Sequence, residues 1–589
     1  MLLVVVALAA YLPALNGGFV WDDDAYVVEN PNLRTPDGLW KIWATPTASP
    51  QYYPVAFTSF WLEYRLWGPD PLGYHLTNVL LHALNGVLVW RLLLGLQIRF
   101  AWFIAAAFVL HPVHVESVAW VTERKNVLSG FFYLSAALAF FQFRPVAAPS
   151  AGPPRWGWYA AALGLYACAL LSKTVTCSLP AALLLVLWWK SGTVRRRDVL
   201  ILGPLFALGL VLAGVTIWME RTHVGARGAD WTLSAVDRCL IAGRALWFYL
   251  GQLCWPANLV FIYPRWHIDA GEVWQYMFPL AYAGAVAVAV LGRRRWGRGP
   301  AAALLFFAGT LVPALGFIDV YPMRFSFVAD HFQYLASLGA LVLLVEVGAR
   351  ALGRLVPDDS PWRTSVAGLV LVALMGLTFQ RGFAYENLET LWTDTLASNP
   401  DCWLAHNNLG EVRFEQGRIE EARVHYREAA RLKPEDPQFH YNLGKAEWTL
   451  GNVEAAISEF EEATRLDPNY ATAHLNLGIA LRRKGLSEEG LVHIERAVQL
   501  KPDFPQARNA LGVALAQKGR RTEAIQQFLA AAESSPSDPE SHYNLALTYA
   551  QSGEFRTALA HAKTAVDIRP NDPRLRSLFE SLRRDIEKR

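Results

Sequence analysis

Three adjacent carboxylates, Asp22, Asp23 and Asp24, stand in the string GGFVWDDDAYVVENPNL, directly after the first apolar stretch of the chain. Ionisable groups beside a bilayer are costly unless they are solvated, paired or used, so the triplet is a functional candidate. Close like charges raise the pKa of one member, which suits a general base. The same residues could also open a solvated loop. A second string, HPVHVESVAWVTERKNVLSG, gathers His111, His114, Glu116, Glu123, Arg124 and Lys125. His-x-x-His-x-Glu could ligate a metal, but Pro112 breaks the helix that would fix the ligands and no zincin pattern follows, so no metal is expected. Arg124 with its forked donors and Lys125 as a point charge suit a phosphate. Lys173, in LLSKTVT, could serve the same phosphate or simply snorkel from a helix end. A third string, YPMRFSFVADHFQYLASLG, places Arg324, Asp330, His331, Gln333 and Tyr334 at a helix entry. Interface anchoring accounts for its aromatics but not for Asp-His-x-Gln-Tyr.

The elements that hold these residues belong to two solvents. Of the 589 residues 53% are hydrophobic and only 18% charged, too apolar for a soluble chain of this size. Before about Glu386 the sequence is a succession of apolar stretches rich in Trp, Phe and Leu, and after it polar residues recur at helical spacing. The net charge of +3 is too small for a nucleic-acid binder, and the five scattered cysteines make neither a disulfide framework nor a metal site. Candidate spans lie near 1–16, 76–97, 100–111, 127–143, 156–172, 175–190, 199–219, 272–291, 300–318, 332–352 and 364–380. They make about eleven crossings, at roughly 20 residues or somewhat fewer each. Met1 to Leu15 reads as the first of them, since no basic residue precedes it and no cleavage site follows. The segment 241–256 carries Arg244 and Gln252 and reads as interfacial or re-entrant. Arginine clusters then fall in alternate loops, which the positive-inside rule makes cytoplasmic. The three strings and the long loop 17–74, with its amphipathic FTSFWLEYRLWG, come to the opposite face.

Pro434, Pro468, Pro502, Pro536 and Pro570 recur every 34 residues, the period of a tetratricopeptide helix–turn–helix unit. Leu409, Leu443, Leu477, Leu511 and Leu545 supply the first-helix core, and Gly417, Gly451, Gly485, Gly519 and Gly553 mark the turns. The expected organisation is all-α. A polytopic membrane domain covers 1–385, a linker helix 386–400, five repeats 401–570 and a solvated capping helix 571–589. The stacked repeats should form a solenoid with a concave face for extended peptide. There Asn408, Asn442, Asn476 and Asn544 either bind a peptide backbone or help to pack the repeat.

Taken in order, the acidic loop with ENPNL, SFWLEYRLWGPDPLGYHLTNVLLHALN, LHPVHVESVAWVTERKNVLSG, LLSKTVT, ADHFQYLASLG and the repeats resemble a known family. It is the transmembrane and tetratricopeptide repeat-containing O-mannosyltransferases and their bacterial relatives, in the GT-C glycosyltransferase superfamily. The resemblance covers nearly the whole chain. It implies a GT-C membrane fold in which Asp22 and Asp23 are the catalytic acid pair, with Asp24 making the run a triplet. The donor would be a polyprenyl-phosphate hexose, mannose in the best-known members, and no cofactor or metal would be needed. Arg124, Lys125, Lys173, Arg324 and His331 would hold the donor phosphate, and the repeats would present a Ser- or Thr-bearing protein acceptor. The chain would sit in a bacterial inner membrane with its repeats on the non-cytoplasmic side. A membrane-anchored scaffold would instead use the repeats alone, and a transporter would need polar residues along a path through the bilayer.

Overall fold

Asp70 accepts a hydrogen bond from Leu72 N at 3.0 Å and so starts the helix Pro71–Gly95, and Ser360 caps the helix Pro361–Gly382 in the same way. A proline at the first helical position follows each cap, where its missing N–H costs nothing. The structure, a computed structural model, describes residues 1–145, 155–225, 228, 231–357 and 360–587. Among these no strand occurs, and the chain divides into two units, Met1–Cys402 and Trp403–Arg589.

Among the described residues of the first unit six helices are long and apolar enough to cross a membrane, including Val121–Phe143, Thr174–Ser191 and Arg196–Val224. The chain is a multi-pass membrane protein. Ala101–Leu110 and Pro112–Ala119 make a seventh candidate, bent by 54° where Pro112 forces His111 into extended backbone. Six or seven helices of this length and apolarity stand beside the eleven crossings expected. The other anticipated segments are helical but shorter or more charged: Leu2–Ala10 breaks before Pro13, Trp156–Leu170 has 15 residues, and Ser337–Leu355 carries Glu346, Arg350 and Arg354. The stretch expected at the interface is part of one 20-residue helix, Ala235–Cys254, opened by a capping box of Ser234 and Asp237. The anticipated linker helix is Leu388–Ser398, within the first unit.

The long first loop folds onto the membrane helices. Its helix Pro54–Trp67 buries Phe57 and Phe60 in a cluster with Tyr26, Leu33, Ile42, Tyr74 and Val121. Beneath that cluster Arg124 and Glu63 form a buried ion pair at 2.8 Å.

The second unit consists of paired helices, from Trp403–Glu415 with Ile419–Leu432 to Pro539–Gln551 with Phe555–Ile568, followed by Pro573–Glu587. The last two residues of the anticipated capping segment lie outside the described residues. Gly417, Gly451, Gly485, Gly519 and Gly553 all have φ between 75° and 96°, the left-handed backbone a tight interhelical turn requires. Gly444 serves close approach instead, since a Cβ there would lie 2.7 Å from the Phe460 ring.

Candidate functional site

Trp21 adopts a left-handed φ of 48°, uncommon for a bulky residue. Packing holds it there: its ring stacks on Trp120 at 5.7 Å and meets Phe261, Phe325 and Trp392 edge-on. The turn that follows separates the three carboxylates. Asp23 is fully buried with both oxygens engaged, Oδ1 accepting from Thr122 N (2.7 Å) and Thr122 Oγ1 (2.6 Å) and Oδ2 from Val20 N (2.9 Å). It ties the acidic loop to the second motif. Burial pushes its pKa up to about 7, against the pull of those donors. Asp24 is exposed at the start of a π-helical turn. Asp22 is partly exposed and its carboxylate accepts no hydrogen bond among the described residues. Its pKa is raised by burial, with the Lys125 ammonium opposing that rise.

Lys125 and Lys173 share one carboxylate. Glu123 Oε1 lies 3.3 Å from Lys125 Nζ, and its Oε2 accepts from Lys173 Nζ at 2.9 Å and from Asn126 Nδ2 at 2.6 Å. Asn126 also donates to the His331 carbonyl at 3.0 Å. Lys173 sits in the break between two apolar helices, where burial lowers its pKa and Glu123 opposes the fall. Glu123, Lys125, Lys173 and His331 line one cavity of about 160 Å³, whose remaining wall includes Val175, Ile217, Pro313, Ile318 and Phe332. A charged floor under an apolar wall suits an amphiphile with an anionic head.

Two cavity residues escape the motif reading. Gln51 Oε1 accepts from Tyr26 OH (2.9 Å) and Lys125 Nζ (3.4 Å), while its amide donates to Glu220 Oε1 at 3.0 Å. Glu220 also accepts from Tyr321 N at 3.1 Å. An acid at the end of a long apolar run is the signal that points to Glu220.

Other anticipated residues serve elsewhere. Arg124 does not face the cavity: its guanidinium is fully buried against Glu63 Oε2, Asn78 Oδ1, Ser59 Oγ and the Tyr74 carbonyl, a correction to its assignment to phosphate. His111 donates from Nε2 to the Leu253 carbonyl, and His114 is held by the Phe108 carbonyl and Ser337. Both pin the bent helix pair, and among the described residues no group of three or more His, Cys, Asp or Glu could hold a metal. Glu116 accepts from both N and Nδ1 of His331, fixing that ring. Asp330 accepts from Tyr263 OH, Gln333 is buried, and the Tyr334 hydroxyl lies between His82 and Asn85 in the core. Arg324 ends the turn Tyr321–Arg324, whose Pro322 lines the cavity. In the second unit Asn442 and Asn476 donate to Asn407 and Tyr441 of the preceding repeat, and Asn408 accepts from Asn407.

Family profiles described as TPR repeat and Tetratricopeptide repeat match residues 410–451 and, in overlapping stretches, 441–573. A solved structure described as YrrB, a TPR protein with an unusual peptide-binding site, is 25% identical, covers 33% of this chain and 97% of its own, and superposes with a TM-score of 0.28. The first unit enters the longer matches. A Caenorhabditis elegans protein O-mannosyl-transferase is 23% identical over 453 residues, 74% of this chain and 62% of the relative. Protein O-mannosyl-transferase tmtc2 of Xenopus laevis is 25% identical, with 72% of this chain and 61% of the relative covered. For the Mus musculus TMTC4 enzyme the identity is 25% and the shares are 72% and 65%. The chain thus spans less than two thirds of the length of these relatives. Over most of its own length it is similar to the transmembrane and tetratricopeptide repeat-containing protein O-mannosyl-transferases, as its motifs indicate.

Proposed function

We propose that the chain transfers a hexose, mannose by similarity to its relatives, from a polyprenyl-phosphate donor to a hydroxyl of a protein acceptor. The observation that carries this reading is the shared carboxylate: two ammonium groups, Lys125 and Lys173, stand on Glu123, near an Asp22 whose carboxylate accepts no hydrogen bond among the described residues. Both ammonium groups line the cavity, where they can meet a phosphate, and Glu220 is the second acid of its lining. The apolar cavity wall suits the first isoprene units of the lipid.

In the reaction Asp22 takes the proton of a Ser or Thr hydroxyl as that oxygen attacks the anomeric carbon. The bond from that carbon to the phosphate oxygen breaks, and its electron pair leaves with the lipid phosphate, which Lys125 and Lys173 stabilise as charge develops. A single displacement inverts the anomeric configuration and needs no covalent enzyme intermediate. Asp23 positions the turn, because its two oxygens are committed to Val20 and Thr122. The repeats bind the acceptor, and the acidic loop and the repeats lie on the non-cytoplasmic face of a bacterial inner membrane.

The test is transfer by the purified full chain from polyprenyl-phosphate mannose to a Ser/Thr peptide. Asp22→Asn should lower turnover by roughly 10²–10⁴ while donor binding persists, because only proton acceptance is removed. Lys173→Ala should weaken donor binding as well as turnover. Near wild-type transfer by Asp22→Asn would falsify the assignment of the base.

A further inference from the structure

A second cavity, of about 450 Å³, lies at the opposite end of the helix Thr174–Ser191 from Lys173. The rise of that helix puts the two cavities roughly 20 Å apart, too far for one headgroup to serve both. Four helices wall it with apolar side chains, among them Leu93, Val186, Phe306 and Val342. Its rim is basic. Arg99, Arg298 and Arg350 line it with a single acid, Glu346, which stands 3.9 Å from Arg350. Arg99 and Arg298 have no acidic partner among the described residues, so three guanidinium groups face one carboxylate. The rim is also braced. The Arg298 guanidinium lies against Gly192, where a Cβ would come within 2.3 Å of it, and Lys190 donates to the Leu96 carbonyl between two of the walls. Trp189 and Trp296 line the same cavity, an aromatic pair of the kind enriched where a membrane protein meets the headgroup layer.

We propose that this cavity is a binding site for an acidic phospholipid, with one acyl chain along Leu93, Phe306 and Val342 and the phosphate between Arg99, Arg298 and Arg350. Surplus positive charge closing an apolar trough between membrane helices selects an anionic amphiphile over a zwitterionic one, whose own cation the arginines would repel. Arginine suits the role because its fork bonds phosphate oxygens in pairs. The arginine-rich connection that supplies Arg298 also holds Arg293, Arg294 and Arg295, which draw acidic lipid to the same region by long-range attraction.

Native mass spectrometry of the detergent-solubilised full chain, titrated separately with phosphatidylglycerol, phosphatidylcholine and a polyprenyl phosphate, tests the proposal. Phosphatidylglycerol should bind about tenfold or more tightly than phosphatidylcholine, and the triple change Arg99→Gln, Arg298→Gln, Arg350→Gln should abolish that preference. Equal binding of the two phospholipids, or a preference that survives the triple change, overturns it. Tighter binding of the polyprenyl phosphate that the triple change removes also overturns it and gives the cavity to a carrier lipid. A measurement on the unaltered chain covers the case in which the variant does not fold: a photoactivatable phosphatidylglycerol should crosslink to peptides containing Phe306 or Val342. Crosslinks confined to other helices sink the idea.

Discussion

In the repeat unit, polar side chains meet their partners one repeat away, as Asn442 meets Asn407 and Asn476 meets Tyr441. In the membrane unit they converge from distant positions: Gln51, Glu123, Lys125, Lys173 and Glu220 form one connected cluster, and the charges of Lys125 and Glu123 act on the Asp22 carboxyl. A solenoid repeats its neighbours, so a missing group is replaced by similar contacts on either side. A buried cluster in an apolar surround has no such reserve, because every group left unpaired keeps its full desolvation cost. Substitutions should therefore be felt more strongly in the membrane unit than in the repeats.

The largest effect outside catalysis should come from Arg124. Arg124→Ala leaves the Glu63 carboxylate buried without its partner, a loss of about 3–5 kcal/mol in stability. Donor affinity of the folded fraction should be unchanged, since all of the contacts described for the guanidinium are with protein groups. Pairing the change with Glu63→Met should recover much of the loss. Thermal unfolding of the full chain together with donor titration checks both halves. Weakened donor binding with stability intact would mean that Arg124 contacts the phosphate.

Arg124 and Lys125 also explain why half of the site was hidden in the sequence. Both are basic and adjacent in one motif, and by residue type both suit a phosphate. They begin a helix, however, and neighbours on a helix point about 100° apart, so one turns to Glu63 under the loop and the other to the cavity. The acidic triplet has the same limit: type and position drew attention to it, but only the turn after Trp21 separates Asp22 from the bracing Asp23. Gln51 and Glu220 are 169 residues apart and belong to no recognisable string. The repeats were legible almost throughout because their period is itself a statement of geometry. A glycine at every interhelical turn predicts positive φ, and all five have it. Helix lengths were harder to read: Pro112 was legible as a break, but the breaks at Tyr11 and at Leu171–Lys173 fall inside runs that read in the sequence as continuous to Asn16 and to Ser172.

The pH dependence of transfer sharpens the division between the two aspartates. A base must be ionised to accept a proton, so activity falls as pH drops through the pKa of Asp22. Burial raises that pKa, which moves the acid limb up from where an exposed aspartate would titrate, and the Lys125 charge works against the rise. Lys125→Met should therefore move the limb further up as well as slow the reaction. Measuring kcat/KM against pH for both proteins reads the shift directly. A limb that stays where an exposed carboxylate would titrate, in either protein, argues that the base is not Asp22.

The smallest effect belongs to the repeat asparagines, where two roles predict different outcomes. The Asn442 side chain is buried and donates to Asn407 Oδ1 at 2.9 Å, so its amide is already used to join two repeats. Asn442→Ala should cost about 0.5–1.5 kcal/mol, the net worth of one such bond, with the neighbouring repeats still stacked. Asn544 is the control, because no side-chain hydrogen bond joins it to another repeat among the described residues and only its carbonyl is engaged, by Thr548. If the asparagines act mainly in packing, Asn442→Ala shifts the denaturation midpoint of the full chain and leaves the acceptor KM alone, while Asn544→Ala changes neither. If they hold the acceptor backbone, both substitutions raise the acceptor KM, and Asn544→Ala does so without touching stability. The hydrogen bond between Asn442 and Asn407 favours the first outcome for Asn442, which leaves Asn544 as the residue free to meet a peptide.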